Sequence, residues 1–324
     1  MCKKKAMLIT SIGKRVQLIK HLKKTFKIIG VDASEINVGR YFVDKFYKIP
    51  KAIDCDYIEA LINICIKENV KVLIPLYEGE FSILDDAREM FRKHGIFLLL
   101  SSKKVINTCN DKKKTYEYFI NSKIKLPKTY HTFEVNEILE KRDVSKLPLF
   151  IKPVDGMGRR NTFKIHTINE LSFFKEYVNN NIIQEFIDGE EFTVDCLVDL
   201  KGKPIYIIPR KRLEVRAGEV MKSRTIHDEN ITKETLKVIE LLNKLKDENG
   251  NGACGPLTIQ FFKTNNKFYL LEINPRFGGG VPLSFESGAN YGNALDKMLN
   301  NEKIIFYNDF EEKTMIRYDE AVFF

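Results

Sequence analysis

The sequence has no apolar run long enough for a membrane-spanning helix: no window among its 324 residues reaches the roughly 18 apolar positions required. Lys3, Lys4 and Lys5 have no sufficient apolar stretch behind them, so no targeting segment is read there. The six cysteines, Cys2, Cys55, Cys65, Cys109, Cys196 and Cys254, contain no CxxC pair and have no histidine at metal-ligand spacing. This argues against a disulfide scaffold and a zinc site, and the cysteines read as reduced, mostly buried hydrophobes of a cytoplasmic protein. The five histidines, His21, His94, His131, His166 and His227, are scattered, and no serine, cysteine or histidine constellation for nucleophilic catalysis stands out. Two phosphate-binding signatures are missing as well. Ser11-Ile12-Gly13 offers one glycine where a dinucleotide fingerprint needs three, and the glycine loop after Lys152 lacks the Gly-Lys-Ser/Thr ending of a Walker loop.

What is present suits an ordinary globular enzyme. Apolar residues make up 44% and charged residues 30%, which supports a substantial core divided into two or three compact units. The net charge of +9 is most concentrated before Asp32. Without aromatic interleaving it reads as a solvated helix face, and no nucleic-acid partner is expected. Residues 6–100 alternate apolar strands (Ala6–Thr10, Phe26–Val31, Val70–Pro75, Ile96–Leu100) with helical patterns (Lys14–Thr25, Tyr57–Glu68, Phe81–His94). That alternation implies a parallel sheet covered on both faces.

Further on, the spacing predicts a helix over Asn107–Ile120 and a strand over Leu149–Lys152. A glycine-bearing loop, Lys152 to Asn161, follows and could lay backbone donors along a polyphosphate, although a plain hairpin loop reads as well. The strands Ile182–Phe186 and Phe192–Leu200 enclose Glu185 and Glu191, either paired structural groups or ligands for amino and hydroxyl donors. Pro209–Ile226 has few apolar anchors and reads as a basic loop, either mobile or a flap over anions. An amphipathic helix, Lys233–Lys246, and a glycine-rich linker then lead to a hairpin of Thr258–Lys263 and Lys267–Ile273. Glu272 and Asn274 share one face of its second strand, with Gln260 beside them on the first. Arg276 and Gly278–Gly280 follow. Such oxygens suit magnesium, and a cation beside approachable backbone suits a phosphoryl group; taken alone, the motif is more often a polar hairpin end.

Together, the spacing Gln260, Glu272, Asn274, Arg276 in the context IQF…LLEINPR and the order of the other segments resemble the ATP-grasp superfamily. The nearest likeness is to the ATP-binding halves of carbamoyl phosphate synthetase large chains and to small carboxylate–amine ligases. The resemblance implies an α/β ATP-grasp fold with an N-terminal Rossmann-like parallel-sheet domain (1–101). A lid and nucleotide-binding subdomain (102–188), a metal and substrate subdomain (189–303) and a short appendage (304–324) would follow. It implies that Lys112 and Lys152 contact phosphate and that Gly156 and Gly158 cover it. Glu185 and Ile187 would form the adenine hinge, and Glu191 would take the ribose hydroxyls. Gln260, Glu272 and Asn274 would hold Mg2+, or Mn2+ in its place, and Arg276 would act with Lys152 on the transferring phosphoryl group. Arg210, Arg212 and Arg216, in the position of the substrate flap, would meet an anionic substrate. The implied reaction activates a carboxylate with ATP, giving ADP, and joins it to an amine. The implied partners are small molecules, with a homodimer as the default assembly, and a catalytically silent ATP-binding subunit is the alternative.

Overall fold

The computed structural model describes residues 4–155 and 160–324. The N-terminal part contains β1 (Ala6–Ile9), α1 (Val16–Lys23), β2 (Lys27–Asp32), β3 (Lys45–Lys48), α2 (Tyr57–Lys67), β4 (Val70–Ile74), α3 (Phe81–Asp86), α4 (Arg88–Lys93) and β5 (Phe97–Leu98). Its strands form one parallel sheet in the order β3-β2-β1-β4-β5. Alternation along β1 sends Ala6 and Leu8 toward Leu61, Phe81 and Phe91, and sends Met7 and Ile9 toward Leu18 and Leu22. The second of these cores continues into Leu197 and Ile208 of the third sheet and Phe277 just after it, so the N-terminal part is packed onto the rest of the chain by apolar burial.

Two of the predicted helices are broken. Phe81–His94 is interrupted at Ala87 (φ −93°, ψ 4°), where Arg88 donates to the carbonyls of Leu98, Leu100 and Ser101 and pairs with Asp85. The predicted helix over Asn107–Ile120 is in fact α5 (Lys103–Cys109) and α6 (Lys112–Phe119). Between them Asp111 caps the second helix by accepting from the amides of Lys113 and Lys114.

The middle of the chain adds β6 (Thr129–Tyr130), α7 (Thr132–Lys141), β7 (Leu149–Pro153), β8 (Phe163–Ile165), α8 (Ile168–Tyr177) and β9 (Asn181–Glu185). Its four strands form an antiparallel sheet in the order β6-β9-β7-β8. Leu149, Ile151 and Ile183 pack on Val135, Ile138 and Leu171 of the helices. The alternate positions Phe150, Lys152 and Gln184 are thereby left for the opposite face.

The third sheet comprises β10 (Glu190–Val198), β11 (Pro204–Arg216), β12 (Glu219–Thr225), β13 (Gly255–Thr264), β14 (Lys267–Asn274) and β15 (Thr314–Ile316), ordered β14-β13-β10-β11-β12-β15. Helix α9 (Glu229–Leu242) precedes β13, and α10 (Pro282–Glu286) and α11 (Tyr291–Leu299) follow β14. The stretch Pro209–Ile226, read as a loop, is instead mostly strand, turning at Ala217 and Gly218 with φ of +47° and +79°. Its residues are held by ion pairs across the sheet, Lys211 to Glu190, Arg212 to Glu191 and Lys222 to Glu214, which hydrophobic periodicity does not reveal. Residues 304–324, expected as a short appendage, supply the sixth strand of this sheet. Among the described residues no helix is long and apolar enough to cross a membrane.

His21 of α1 stacks on Phe285 of α10, with ring centroids 3.8 Å apart, inside the core that joins the N-terminal part to the third sheet. Burial, with a smaller push from Lys24, lowers its pKa to about 4. The unfolded chain takes up this proton near 6.5, so stability falls as pH drops from about 6.5 to about 4. The expected loss over that interval is roughly 2–3 kcal/mol, and His21→Phe should remove it. Denaturant unfolding of both proteins across this range checks the prediction.

Candidate active site

A cavity of about 400 Å³ opens between the four-stranded sheet and the β13–β14 hairpin. Its polar lining includes Lys112 at the start of α6, Lys152 on β7, Gln260 on β13 and Glu272 on β14. Pro127, Phe150, Phe186, Ile187, Phe262 and Leu271 supply apolar walls, a surface suited to a flat heterocycle. Both the backbone amide and the ammonium of Lys112 donate to the Val154 carbonyl, at 3.1 and 3.3 Å, which fastens the start of α6 to the end of β7. Lys152 is 9% exposed, and its pKa is lowered to about 8, chiefly by burial, with Glu272 pulling it up and Lys112 pushing it down. Around Lys152, two ammonium groups thus meet the single carboxylate of Glu272, a local balance that favours an added anion.

Gln260 and Glu272 face each other in the hairpin register. The Asn274 amide donates to Glu272 Oε1 at 2.7 Å, Arg276 donates to Asn274 Oδ1 at 3.2 Å, and Arg276 pairs with Glu78 at 2.7 Å. This chain of contacts ties the hairpin to the N-terminal part. Among the described residues no group of three histidine, cysteine, aspartate or glutamate side chains could hold a metal. One carboxylate and neighbouring amide oxygens, beside a pocket suited to an anion, nonetheless fit Mg2+, which takes hard oxygens and keeps positions for water and phosphate.

The remaining expected residues are placed as follows. Glu185 and Glu191 line the same cavity. The Glu185 carboxylate accepts from the Lys128 amide at 2.9 Å, and Glu191 pairs with Arg212 at 3.2 Å. Gly156 and Gly158 lie outside the described residues. Arg210 is 2% exposed, and its guanidinium is turned onto Asp195 at 2.8 Å, with Ser284 donating to the same carboxylate. A Cβ on Gly280 would come within 2.6 Å of that guanidinium, so Arg210 supports the glycine loop from behind and lines neither cavity. Arg212 is turned inward onto Glu191 and the Gly218 carbonyl, and Arg216 is exposed at the hairpin tip opposite Glu219.

A second cavity, about 450 Å³, lies where the start of α1, the glycine loop, β12 and the segment after β15 meet. Arg15, Arg317 and Glu219 line it, and Arg276, Arg317, Glu78 and Glu219 all act electrostatically on Arg15. Burial, reinforced by Arg276 and Arg317, lowers the Arg15 pKa to about 10 despite the opposing pull of Glu219 and Glu78. Arg317 and Lys14 both pair with Glu219, at 3.0 and 3.1 Å. Sequence reading missed Arg15, Glu78 and Arg317. Arg15 had one available signal: it follows the carboxyl end of β1, where ligands of open α/β sheets bind.

The description "ATP-grasp domain" matches residues 109–280, more than half of the chain, and "PylC-like, N-terminal domain" matches residues 7–99. The chain belongs to the ATP-grasp family, whose enzymes use ATP and Mg2+. It is similar to tyramine–L-glutamate ligase of Methanocaldococcus fervens, 27% identical over 83% of this chain and 80% of the relative. It is also similar to the carbamoyl phosphate synthase large chain of Clostridium botulinum, 24% identical over 81% of this chain; the match spans only 25% of that relative. Among solved structures, biotin carboxylase of Campylobacter jejuni in a β,γ-ATP complex shares the fold with a TM-score of 0.74 and 17% identity. That match covers 95% of this chain and 73% of the neighbour.

Proposed function

We propose that the chain is an ATP-dependent carboxylate–amine ligase. The observation that carries this reading is the convergence of Lys112, Lys152, Gln260 and Glu272 with an apolar slot in one cavity, linked through Asn274 and Arg276 to a second, arginine-rich one. The apolar walls take the adenine, and Lys112 and Lys152 neutralise the phosphates. Glu272, Asn274 and Gln260 would hold Mg2+, which would supply Lewis-acid polarisation of the phosphoryl oxygens. A carboxylate oxygen of the acid attacks the γ-phosphorus, the bond from that phosphorus to the β–γ bridging oxygen breaks, and ADP leaves. Arg276, oriented by Glu78 and Asn274, stabilises the charge on the transferring group. The amine nitrogen then attacks the acyl carbon, the carbon–oxygen bond to phosphate breaks, and the nitrogen gives its proton to solvent. The tyramine–L-glutamate ligase relative, matched over most of its length, supports the same reaction class.

The test is product analysis on a panel of acids and amines. ADP and phosphate should appear in stoichiometric amounts only when both an acid and an amine are supplied. Release of AMP and pyrophosphate, or ADP release indifferent to both, contradicts the reading.

A further inference from the structure

The second cavity is a built site distinct from the nucleotide slot. Lys14, Arg15, Lys20 and Arg317 line it together with Glu219, Asp319 and Glu320. Lys14 and Arg317 are both paired with Glu219, while Arg15 has no hydrogen bond or ion pair from its side chain among the described residues. Four cations thus meet three carboxylates, and the guanidinium left without a partner is that of Arg15, half-buried beside Gly279. Val16, Met221, Val281, Pro282 and Met315 line the same space, which is large enough for a small molecule. A monocarboxylic acid with an apolar body complements this lining: one carboxylate for the guanidinium and hydrocarbon for the walls.

The outer wall is a strap of chain. It is fixed at one end by the pairing of β15 with β12 and at the other by Phe324, whose ring stacks on Tyr41 of the N-terminal part with centroids 5.2 Å apart. Between these ends, Arg317 ties it down through Glu219 and the Gly279 carbonyl, and residues 318–320 and 322 line the cavity. The strap after Ile316 has no regular secondary structure, so its side chains, more than any helix or sheet face, set the cavity's outer shape.

We propose that this second cavity holds the acid substrate, that Arg15 receives the acid's carboxylate, and that residues 315–322 form a wall that selects which acids fit. The inference rests on the ligase reading above and adds to it the class of the acid and the residues that choose it.

The experiment uses the full chain with a panel of apolar and polar single carboxylic acids, amino acids included, against fixed ATP and amine. Apolar monocarboxylates should drive ADP release best. Arg15→Met should raise KM for the best acid by roughly 10–100-fold, the loss of a charge-assisted contact, with KM for ATP held within about twofold. Arg15→Lys should recover part of that loss, and Met315→Ala should widen the range toward bulkier acids. A second readout without turnover is the thermal upshift produced by the best acid in the presence of a non-hydrolysable ATP analogue; it should shrink in Arg15→Met, while the upshift from the analogue alone persists. An unchanged KM for the acid, or an equal rise in both KM values, overturns the proposal while leaving the ligase reading intact. If the parent protein needs no acid at all for ADP release, the ligase reading fails and this proposal falls with it.

Discussion

Replacing Glu272 by glutamine lowers kcat for acid-dependent ADP formation by about 100-fold or more, with unfolding unchanged. The substitution keeps the shape of the side chain and keeps an oxygen to accept from the Asn274 amide. What it removes is the negative charge that acts on Lys152 in the first cavity, where Lys112 also lies, and that is proposed to anchor Mg2+. With that charge gone, the two lysines still attract the nucleotide, so the effect falls on kcat far more than on KM for ATP. Steady-state rates at varied ATP and Mg2+ check this. Equal kcat in variant and parent would remove Glu272 from the phosphoryl-transfer step.

The second large effect concerns stability. Arg210→Met leaves Asp195 buried with Ser284 but without its cation, and the expected cost is about 3–5 kcal/mol. Replacing both partners together, Asp195→Leu with Arg210→Met, should cost much less than the two single changes summed, because no unpaired charge then remains inside. Loss of the guanidinium also removes the support behind Gly280, so the single variant should lose ligase activity at temperatures where it is still folded. Urea unfolding of the two single variants and the double variant measures the coupling. A single-variant loss below about 1 kcal/mol would show that the pair is dispensable.

These two sites differ in how readily the chain discloses them. The hairpin that carries Glu272 is local: alternating apolar residues, a turn at Asn265 and Asn266 with positive φ, and functional side chains two and four positions apart. Period and turn chemistry were enough to draw it. The alternation of strands and helices before residue 100 was legible for the same reason, apart from β3, a short edge strand of lysines and aromatics. The β11–β12 hairpin was not legible, because its basic residues are neutralised by partners on β10 and β11 and so imitate a solvated loop. Arg210 misled in the same way: a charge in a charged run suggests solvent or substrate, and only the tertiary structure shows Asp195 beneath it. The arginine-rich cavity was hidden by distance along the chain, since residues 15, 219, 279 and 317 have no common local pattern and meet only when the N-terminal part closes onto the third sheet. The helix breaks at Ala87 and Asp111 depend on a few hydrogen bonds, which periodicity does not record.

The central claim is that a carboxylate is activated by phosphorylation before the amine attacks. Its most direct test follows a heavy-oxygen label placed in the carboxylate of the acid. The account predicts that one labelled oxygen per turnover appears in the released inorganic phosphate, because the oxygen that attacked the γ-phosphorus leaves with it. Unlabelled phosphate with amide product, or label recovered in AMP, would contradict it.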